Sequence, residues 1–491
     1  QDANFTNGSA TDGGGVLCSN ADLSFINCRF TSNQATGSGG GLRCEADTVI
    51  SLNNCVVYNN VAGTSGGGIM LDSAEATLAN CTIDNNTSSL YGGGILLIGT
   101  ANATNCWITN NEAQTNNGGG ILLATNAQMI LDSCSIQGNT AGTDGGGMIC
   151  GTGSDLTATD CSFDSNTAGD DGGGIANYQA SISLSNCNLT SNNAVYDGGG
   201  IEMQYSDATL SNCHFVMNIA WRGAGATVHR NGDSQERASV SDCSFVDNQS
   251  TFAGGLFLLR TSVDVTNTLF QNNHASTRSG GIEFNSTTNF GKDVKLLDCQ
   301  AFDNSAPENA FASVFFSPFT TEDTIICGST DAPIGAPHGT WSDLGNTCIT
   351  EFCDSDSDGA LDCEDGCPDD PLKTEPGDCG CGNPDTDSDG DDTADCIDGC
   401  PDDPLKIDPG ECGCNVPDED ANDNGIIDCL ESDCPADIDG DGLVTIEDLL
   451  DVIGSWGDCA DPDNCPADLD GTGSVDIEDL LAVISGWGAC P

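Results

Sequence analysis

The stretch CSFDSNTAGDDGGGI (residues 161–175) places a cysteine, an apolar residue, an asparagine, an alanine and three glycines in a fixed order. The chain writes the same order in CNLTSNNAVYDGGGI (187–201) and CWITNNEAQTNNGGGI (106–121). Counted by its first residue, the pattern falls at Cys28, Cys55, Cys81, Cys106, Cys134, Cys161, Cys187, Cys213 and Cys243, then Thr268, then Cys299, mostly 25 to 28 residues apart. Five residues after each stands an asparagine, from Asn33 to Asn304, and seven after each stands Ala or Ser. A unit this short cannot bury its own apolar face, so the units must stack as a solenoid. Apolar residues alternate within a period, as in Ile182 and Leu184, Cys187 and Leu189, Ile201 and Met203. This spacing predicts three short strands per unit and a mainly β fold, a right-handed parallel β-helix of about 11–12 coils.

Stacking gives each repeated residue a physical role. Copies in neighbouring coils lie about 4.8 Å apart, so the asparagines are expected to form a ladder of side-chain amides, and asparagine also tolerates a left-handed corner. The glycines are expected where φ is positive or where a Cβ has no room. The cysteine column is expected as inert buried thiols, since side chains in parallel register hold their Cβ atoms farther apart than a disulfide prefers. Cys18 and Cys44 both stand third after a glycine triplet, and for them a bridge and two thiols are both open. Cys150 has no such neighbour.

The GGGI segments, with FDSN (163–166), FVMN (215–218) and FVDN (245–248), resemble the GG-aliphatic and Phe-x-x-Asn repeats of the polymorphic outer-membrane protein family. The resemblance spans about residues 1–306 and implies a surface β-helix with an adhesive role. That family ends in a β-barrel; this chain ends differently, so its membrane anchoring is not carried over.

Composition narrows the partners. The chain has 76 acidic residues against 11 basic ones. Phosphate backbones and anionic membranes need clustered Lys and Arg, so nucleic acid and membrane surfaces are excluded as partners. Of 29 cysteines, those from Cys327 onward fall at regular spacings, which suits an oxidising, extracytoplasmic compartment. No apolar run approaches the roughly 20 residues that span a bilayer, so membrane insertion is not expected. The chain begins at Gln1, as expected of a mature exported protein whose signal peptide has been removed.

One irregular coil invites a catalytic reading. Residues 221–242 replace the glycine triplet by GAG and gather Arg222, His229, Arg230 and Arg237, with Arg260 one coil on and Glu202 and Glu283 on nearby strands. Polysaccharide lyases and glycoside hydrolases on β-helices use a base, a metal or paired carboxylates. The competing reading is that the arginines offset local acid on a solvent-facing wall, since the regular coils leave no cleft. That reading is adopted, and no catalytic residue is assigned; a polysaccharide-cleaving enzyme is the alternative.

The tail is built for hard cations. CEDGCPDDPLKTEPGDCGCG from Cys363 returns as CIDGCPDDPLKIDPGECGCN from Cys396, 33 residues on. Alternating acids run into each copy and recur after the second: Asp354, Asp356, Asp358, Asp362, Asp365; then Asp387, Asp389, Asp391, Asp395, Asp398; then Asp420, Asn422, Asn424, Asp428, Glu431. Alternating oxygen donors with glycine at the bend wrap around one calcium ion. With almost no apolar residues, this segment must be held by metal and disulfides together. It resembles thrombospondin type 3 repeats, which implies bound calcium and disulfides linking successive units.

The last segment changes register again. DIDGDGLVTIEDLLDVIGSWG (437–457) and DLDGTGSVDIEDLLAVISGWG (468–488) each read as a calcium loop followed by a short amphipathic helix. Ligand positions fall on Asp437, Asp439, Asp441, the Leu443 carbonyl, Thr445 and Asp448, and on Asp468, Asp470, Thr472, the Ser474 carbonyl, Asp476 and Asp479. Thr472 departs from the usual Asp or Asn. The pair resembles dockerin domains of the kind ending in Trp-Gly and a nearby cysteine, which implies a cohesin-like or surface-attachment partner. Ile446, Glu447, Ile477 and Glu478 are the partner-binding residues expected. The domain reading is a β-helix over 1–326, a disulfide-closed junction over 327–352, calcium repeats over 353–434 and a dockerin-like module over 435–491. The chain starts partway through a coil, with Phe5 at the apolar position, so head-to-tail self-association through an uncapped first coil is a further expectation.

Overall fold

The computed structural model describes residues 1–205, 208–229, 238–285, 293–315, 318–328, 334–335, 340–350, 352–421, 427–430, 434–461 and 464–490. Arg230, Arg237, Asn422, Asn424 and Glu431 lie outside the described residues. The chain forms two units, Gln1–Ser355 with Leu361–Glu364, and Asp356–Ala360 with Asp365–Pro491.

The first unit is a right-handed parallel β-solenoid of about 12 turns. One coil runs through Ser162–Asp164, Thr167–Ala168, Ile175–Tyr178 and Ser181–Ser185. Each strand pairs in parallel with its copy one coil on, with Phe163 opposite Leu189, Ala168 opposite Ala194, Ile175 opposite Ile201 and Leu184 opposite Leu210. Four strands per coil replace the three expected, because Gln179 at φ 55° bends one side of the coil in two. Where a continuous strand survives, as in Ile69–Ala79, the same bend is a register shift between Asp72 and Ala74.

Alternate side chains fill the interior. Phe163, Phe215, Phe245 and Phe270 are fully buried, and the Phe215, Phe245 and Phe270 rings stack with centroids 4.6 and 5.0 Å apart. Each such side chain withdrawn from water contributes about 1.5–3 kcal/mol. The asparagines form the expected ladder. Asn166 Nδ2 donates to Asn192 Oδ1 (3.0 Å) and to the Ile136 carbonyl (2.9 Å), while Asn166 Oδ1 accepts from the Asn139 backbone N–H (3.0 Å). The left-handed corner, however, falls on the residue before the ladder asparagine, as at Ser165 (φ 54°) and Ser191 (φ 55°). A positive φ at that point turns the chain so that the next residue aims its amide along the axis. A second left-handed column precedes the cysteines and includes Asn186 and Asn212.

The glycine triplet combines two requirements. Gly172 has φ 64°. Gly173 and Gly174 do not, but a Cβ there would lie 2.5 Å from the Gly199 carbonyl oxygen and 2.4 Å from that of Gly200. Eleven cysteines are buried thiols, including all ten of the column and Cys150; Cys161 Sγ donates to the Thr159 carbonyl at 3.1 Å. Burial pushes the Cys150 thiol up. Cys18 and Cys44 form a disulfide across coils that are in register, with Cα atoms 4.6 Å apart. Cys327–Cys353 and Cys348–Cys363 close the far end of this unit.

The second unit has little core. Cys367–Cys381 and Cys400–Cys414 close loops within repeats, and Cys379–Cys396 and Cys412–Cys429 join each repeat to the next. Lys373 and Lys406, equivalent in the two repeats, bind Asp385 and Asp418 at 2.9 and 3.0 Å. Beyond them, helices α1 (Ile446–Gly454) and α2 (Ile477–Ser485) pack around buried Val444, Val452, Val475 and Val483. Leu443–Val444 pairs with Gly488–Ala489, and Gly457–Asp458 with Ser474–Val475, so each half completes the other. Cys434–Cys490 ties the ends together, and Cys459–Cys465 closes the segment between the halves.

Candidate functional site

In the tail, glycine bends fold the acid series back on themselves. Oxygens of Asp387, Asp389 and Asp391 lie within 4.8 Å of one another. Asp389 Oδ2 and Asp398 Oδ2 are buried without a hydrogen-bond partner among the described residues, and neighbouring carboxylates act on Asp389, whose pKa is raised by desolvation first. Orphaned buried carboxylate oxygens gathered this closely fit a hard cation. Asp395 instead clamps its loop, accepting from Ser388 N–H (2.8 Å), Ser388 Oγ (2.7 Å) and Thr386 Oγ1 (2.8 Å). Asp362 does the same for Ser355. Asp365 and Asp398 each accept the N–H two residues on. Asp354 belongs to the first unit and Asp356 and Asp358 to the second; Asp420 lies outside any helix, strand or turn, and Asp428 opens a 3₁₀ turn.

The two loops of the helical pair are near copies. Asp437 accepts from the N–H groups of Asp441 (3.1 Å) and Gly442 (2.8 Å), and Asp468 from those of Thr472 (3.0 Å) and Gly473 (2.7 Å). Asp439 and Asp470 each accept at 3.2 Å from the residue two on, and Asp441 accepts from Leu443 at 2.9 Å. Asp448 is fully buried and accepts from Ile438, Asp439 and Thr445; Asp479 does so from Leu469, Asp470 and Asp476. The same two carboxylates complete capping boxes with Thr445 and Asp476. Helix start and loop closure therefore share one side chain. Thr472 Oγ1 donates to the Ser474 carbonyl (3.3 Å), a hydroxyl where the first loop has a carboxylate.

Ile446, Glu447, Ile477 and Glu478 are all exposed. The sequence reading missed that the apolar stripe continues through Leu450 and Ile453 on α1 to Trp456 just past its end, and through Leu481 and Ile484 on α2 to Trp487 just past its end, every one about half exposed or more. Spacing of four, three and three residues along a short helix was the available signal.

On the β-helix wall, Arg222, His229 and Glu202 come together around a residue not singled out from the sequence, Asp197. Arg222 binds Asp197 in bidentate fashion at 2.6 and 2.6 Å and lies over the Trp221 and Phe257 rings. His229 Nε2 is 3.3 Å from Asp197, and its Nδ1 is 4.0 Å from Glu202. Burial lowers the His229 pKa to about 4. Glu202 is separated from Glu283 by Thr227 and Phe257 in successive coils, and Glu283 pairs with Arg278 at 2.8 Å. Arg260 is a left-handed corner at φ 54°. Beneath Asp197 runs an acidic ladder: Asp197 N–H donates to Asp171, Asp171 N–H to Asp144, and Asp144 N–H to Asn117.

Comparison with known proteins agrees with the architecture. The right-handed beta helix region family model matches residues 40–202 and 93–268, and the Chlamydia polymorphic membrane protein repeat model matches residues 27–45. No curated protein sequence matches the chain. Among solved structures, the catalytic unit of thermostable GH87 alpha-1,3-glucanase from Streptomyces thermodiastaticus strain HF3-3 is similar, with 13% identity and a TM-score of 0.29. The match covers 67% of this chain and 63% of that one, less than two thirds of its length. At that distance it carries no argument about activity.

Proposed function

We propose that the protein is an exported structural or adhesive β-helix, displayed at a cell surface or in an extracellular matrix through a calcium-dependent, dockerin-like tail. The observation that carries this reading is the pair of exposed apolar stripes on α1 and α2, each beginning beside a buried loop carboxylate, Asp448 or Asp479. An exposed apolar patch on a small domain marks a contact with another protein, and a cohesin-like or surface-attachment protein is the partner. Calcium holds the loops that set the two helices, as the buried, backbone-bonded Asp448 and Asp479 suggest. The polymorphic membrane protein repeat and the disulfide content support an extracellular setting, and no described helix is long and apolar enough to cross a membrane. Against polysaccharide cleavage stands the burial of Glu202 (0%) and Asp197 (2%), which leaves neither carboxylate within reach of a glycan.

The test is attachment on the producing cells. The wild-type chain should remain with cells or matrix in calcium and be released by chelator, and Asp448→Asn/Asp479→Asn should be released in either condition. Retention of that double variant under both conditions would sink the reading.

A further inference from the structure

The geometry points to a second kind of divalent-cation site, on the β-helix wall, formed by Asp144, Asp170 and Asp171 and backed by Glu202. Carboxylate oxygens of the three aspartates lie within 4.8 Å of one another, and all three residues are half-buried. They come from two adjacent coils, Asp144 and Asp171 being the residues that precede consecutive glycine triplets. One oxygen of Asp144 and one of Asp171 accept the backbone N–H of the next ladder member. This fixes each carboxylate and leaves its second oxygen for a ligand.

Glu202 supplies the independent observation. Its side chain is fully buried, and neither carboxylate oxygen has a hydrogen-bond partner among the described residues. After desolvation, the charges acting on it are Asp171, Asp197 and Asp144, in that order, with the Asn177 backbone a weak influence in the opposite direction. A buried carboxylate left bare beside three others is costly unless it takes up a proton or positive charge joins it, and a bound cation relieves all four groups at once. Among the described residues the guanidinium of this group is that of Arg222, and both of its hydrogen bonds go to Asp197. Among the described residues, Asp144, Asp170, Asp171 and Glu202 thus have no permanently charged protein cation, and His229, 4.0 Å from Glu202, is held towards its neutral form by burial. The donors are all hard oxygens, and the partial exposure of the three aspartates admits water to complete six to eight ligands, which selects calcium or a cation of similar character.

Crystals of the full chain soaked in Mn²⁺ or Tb³⁺ test this through anomalous scattering. A peak is expected among Asp144, Asp170 and Asp171, with peaks in the tail loops as internal control; peaks in the tail and none on the wall overturn the proposal. In solution, equilibrium dialysis counts calcium per chain. Asp170→Asn changes a side chain outside the ladder's hydrogen bonds and should lower the count by one with circular dichroism unchanged. An unchanged count overturns the proposal. The crystal measurement needs no variant, so it stands even if the substitution impairs folding.

Discussion

Replacing Asn166 by alanine isolates what the amide ladder contributes. Asn166 is fully buried, and its side chain makes four hydrogen bonds: to the Ile136 carbonyl (2.9 Å), to Asn192 Oδ1 (3.0 Å), and from the backbone N–H and Nδ2 of Asn139 (each 3.0 Å). Alanine removes all four and leaves the Asn139 N–H buried with no acceptor. At about 0.5–1.5 kcal/mol net per bond, with about 1–3 kcal/mol for an orphaned buried group, the loss is about 3–9 kcal/mol. Because coils in a solenoid open locally, the change is best read at the affected amide. Each 1.4 kcal/mol is tenfold, so hydrogen exchange at Asn139 should quicken by at least roughly 10²-fold. Asn166→Asp should be no better, since a carboxylate can accept from Asn139 but faces the Ile136 carbonyl and Asn192 Oδ1 without a proton to donate. Asn186→Ala is the control: it also deletes an inter-coil amide pair, but an exposed one, and adds about 1–2 kcal/mol for alanine at its φ of 54°. The reasoning fails if exchange at Asn139 moves less than threefold, or if Asn186→Ala accelerates it as much as Asn166→Ala.

Other expectations follow from the same geometry. In EGTA, limited proteolysis should cut the second unit, beyond about residue 355, while the glycine-rich coils resist, because the tail's carboxylates repel without metal and the ladder needs none; equal cutting of the coils contradicts this. Mass spectrometry after iodoacetamide should show none of the eleven buried thiols alkylated in the native chain and all eleven in denaturant. Gly173→Ala puts a Cβ 2.5 Å from a backbone carbonyl oxygen and should cost more than about 4 kcal/mol, seen as loss of soluble protein, while Ser165→Gly should be close to neutral. In a binding assay with the attachment partner, Glu447→Lys alone should weaken association less than Glu447→Lys with Glu478→Lys, since the two helices offer near-identical faces; complete loss from the single change would exclude dual-face binding.

The repeat was legible because each stacking interaction recurs at a fixed offset. An asparagine five residues after every column position has few explanations other than a ladder, and three glycines at a corner state a steric limit. The left-handed residue was misplaced by one position: Asn59, Asn85, Asn110 and Asn272 mark the column, but the serines that hold it elsewhere, such as Ser165 and Ser191, do not announce positive φ, whereas the ladder position is asparagine in every coil. The four-strand coil was missed since Gln179, which makes the extra bend, looks like an ordinary surface residue. Disulfide pairing was legible only in part: the shared place of Cys18 and Cys44 after their glycine triplets left a bridge and two thiols both open, and the coil register decides for the bridge. The wall cluster was read only in part. Arg222, His229 and Glu202 stood out as rare residues in an irregular coil, whereas Asp144, Asp171 and Asp197 look like unremarkable turn acids. Reading down the residue that precedes each glycine triplet would have found them. The tail loops were legible residue by residue, but not the use of Asp362 and Asp395 as clamps, which depends on where Ser355 and Ser388 fold back.

The buried thiols impose an order of events on the newly made chain. In an oxidising compartment every unpaired cysteine is open to mispairing with any of the other 28 until something covers it. Cys161 is shielded by the chain on either side of it along the axis, since its Sγ is held to its own coil and the neighbouring coils close over it. Protection therefore needs a wound coil on each side, wherever winding begins, and a coil that stays open leaves a reactive sulfur at its edge. A chain that wound more slowly than disulfides form would be trapped in cross-linked, misthreaded forms, so speed of winding is as much a requirement of this repeat as the stability of the finished rod.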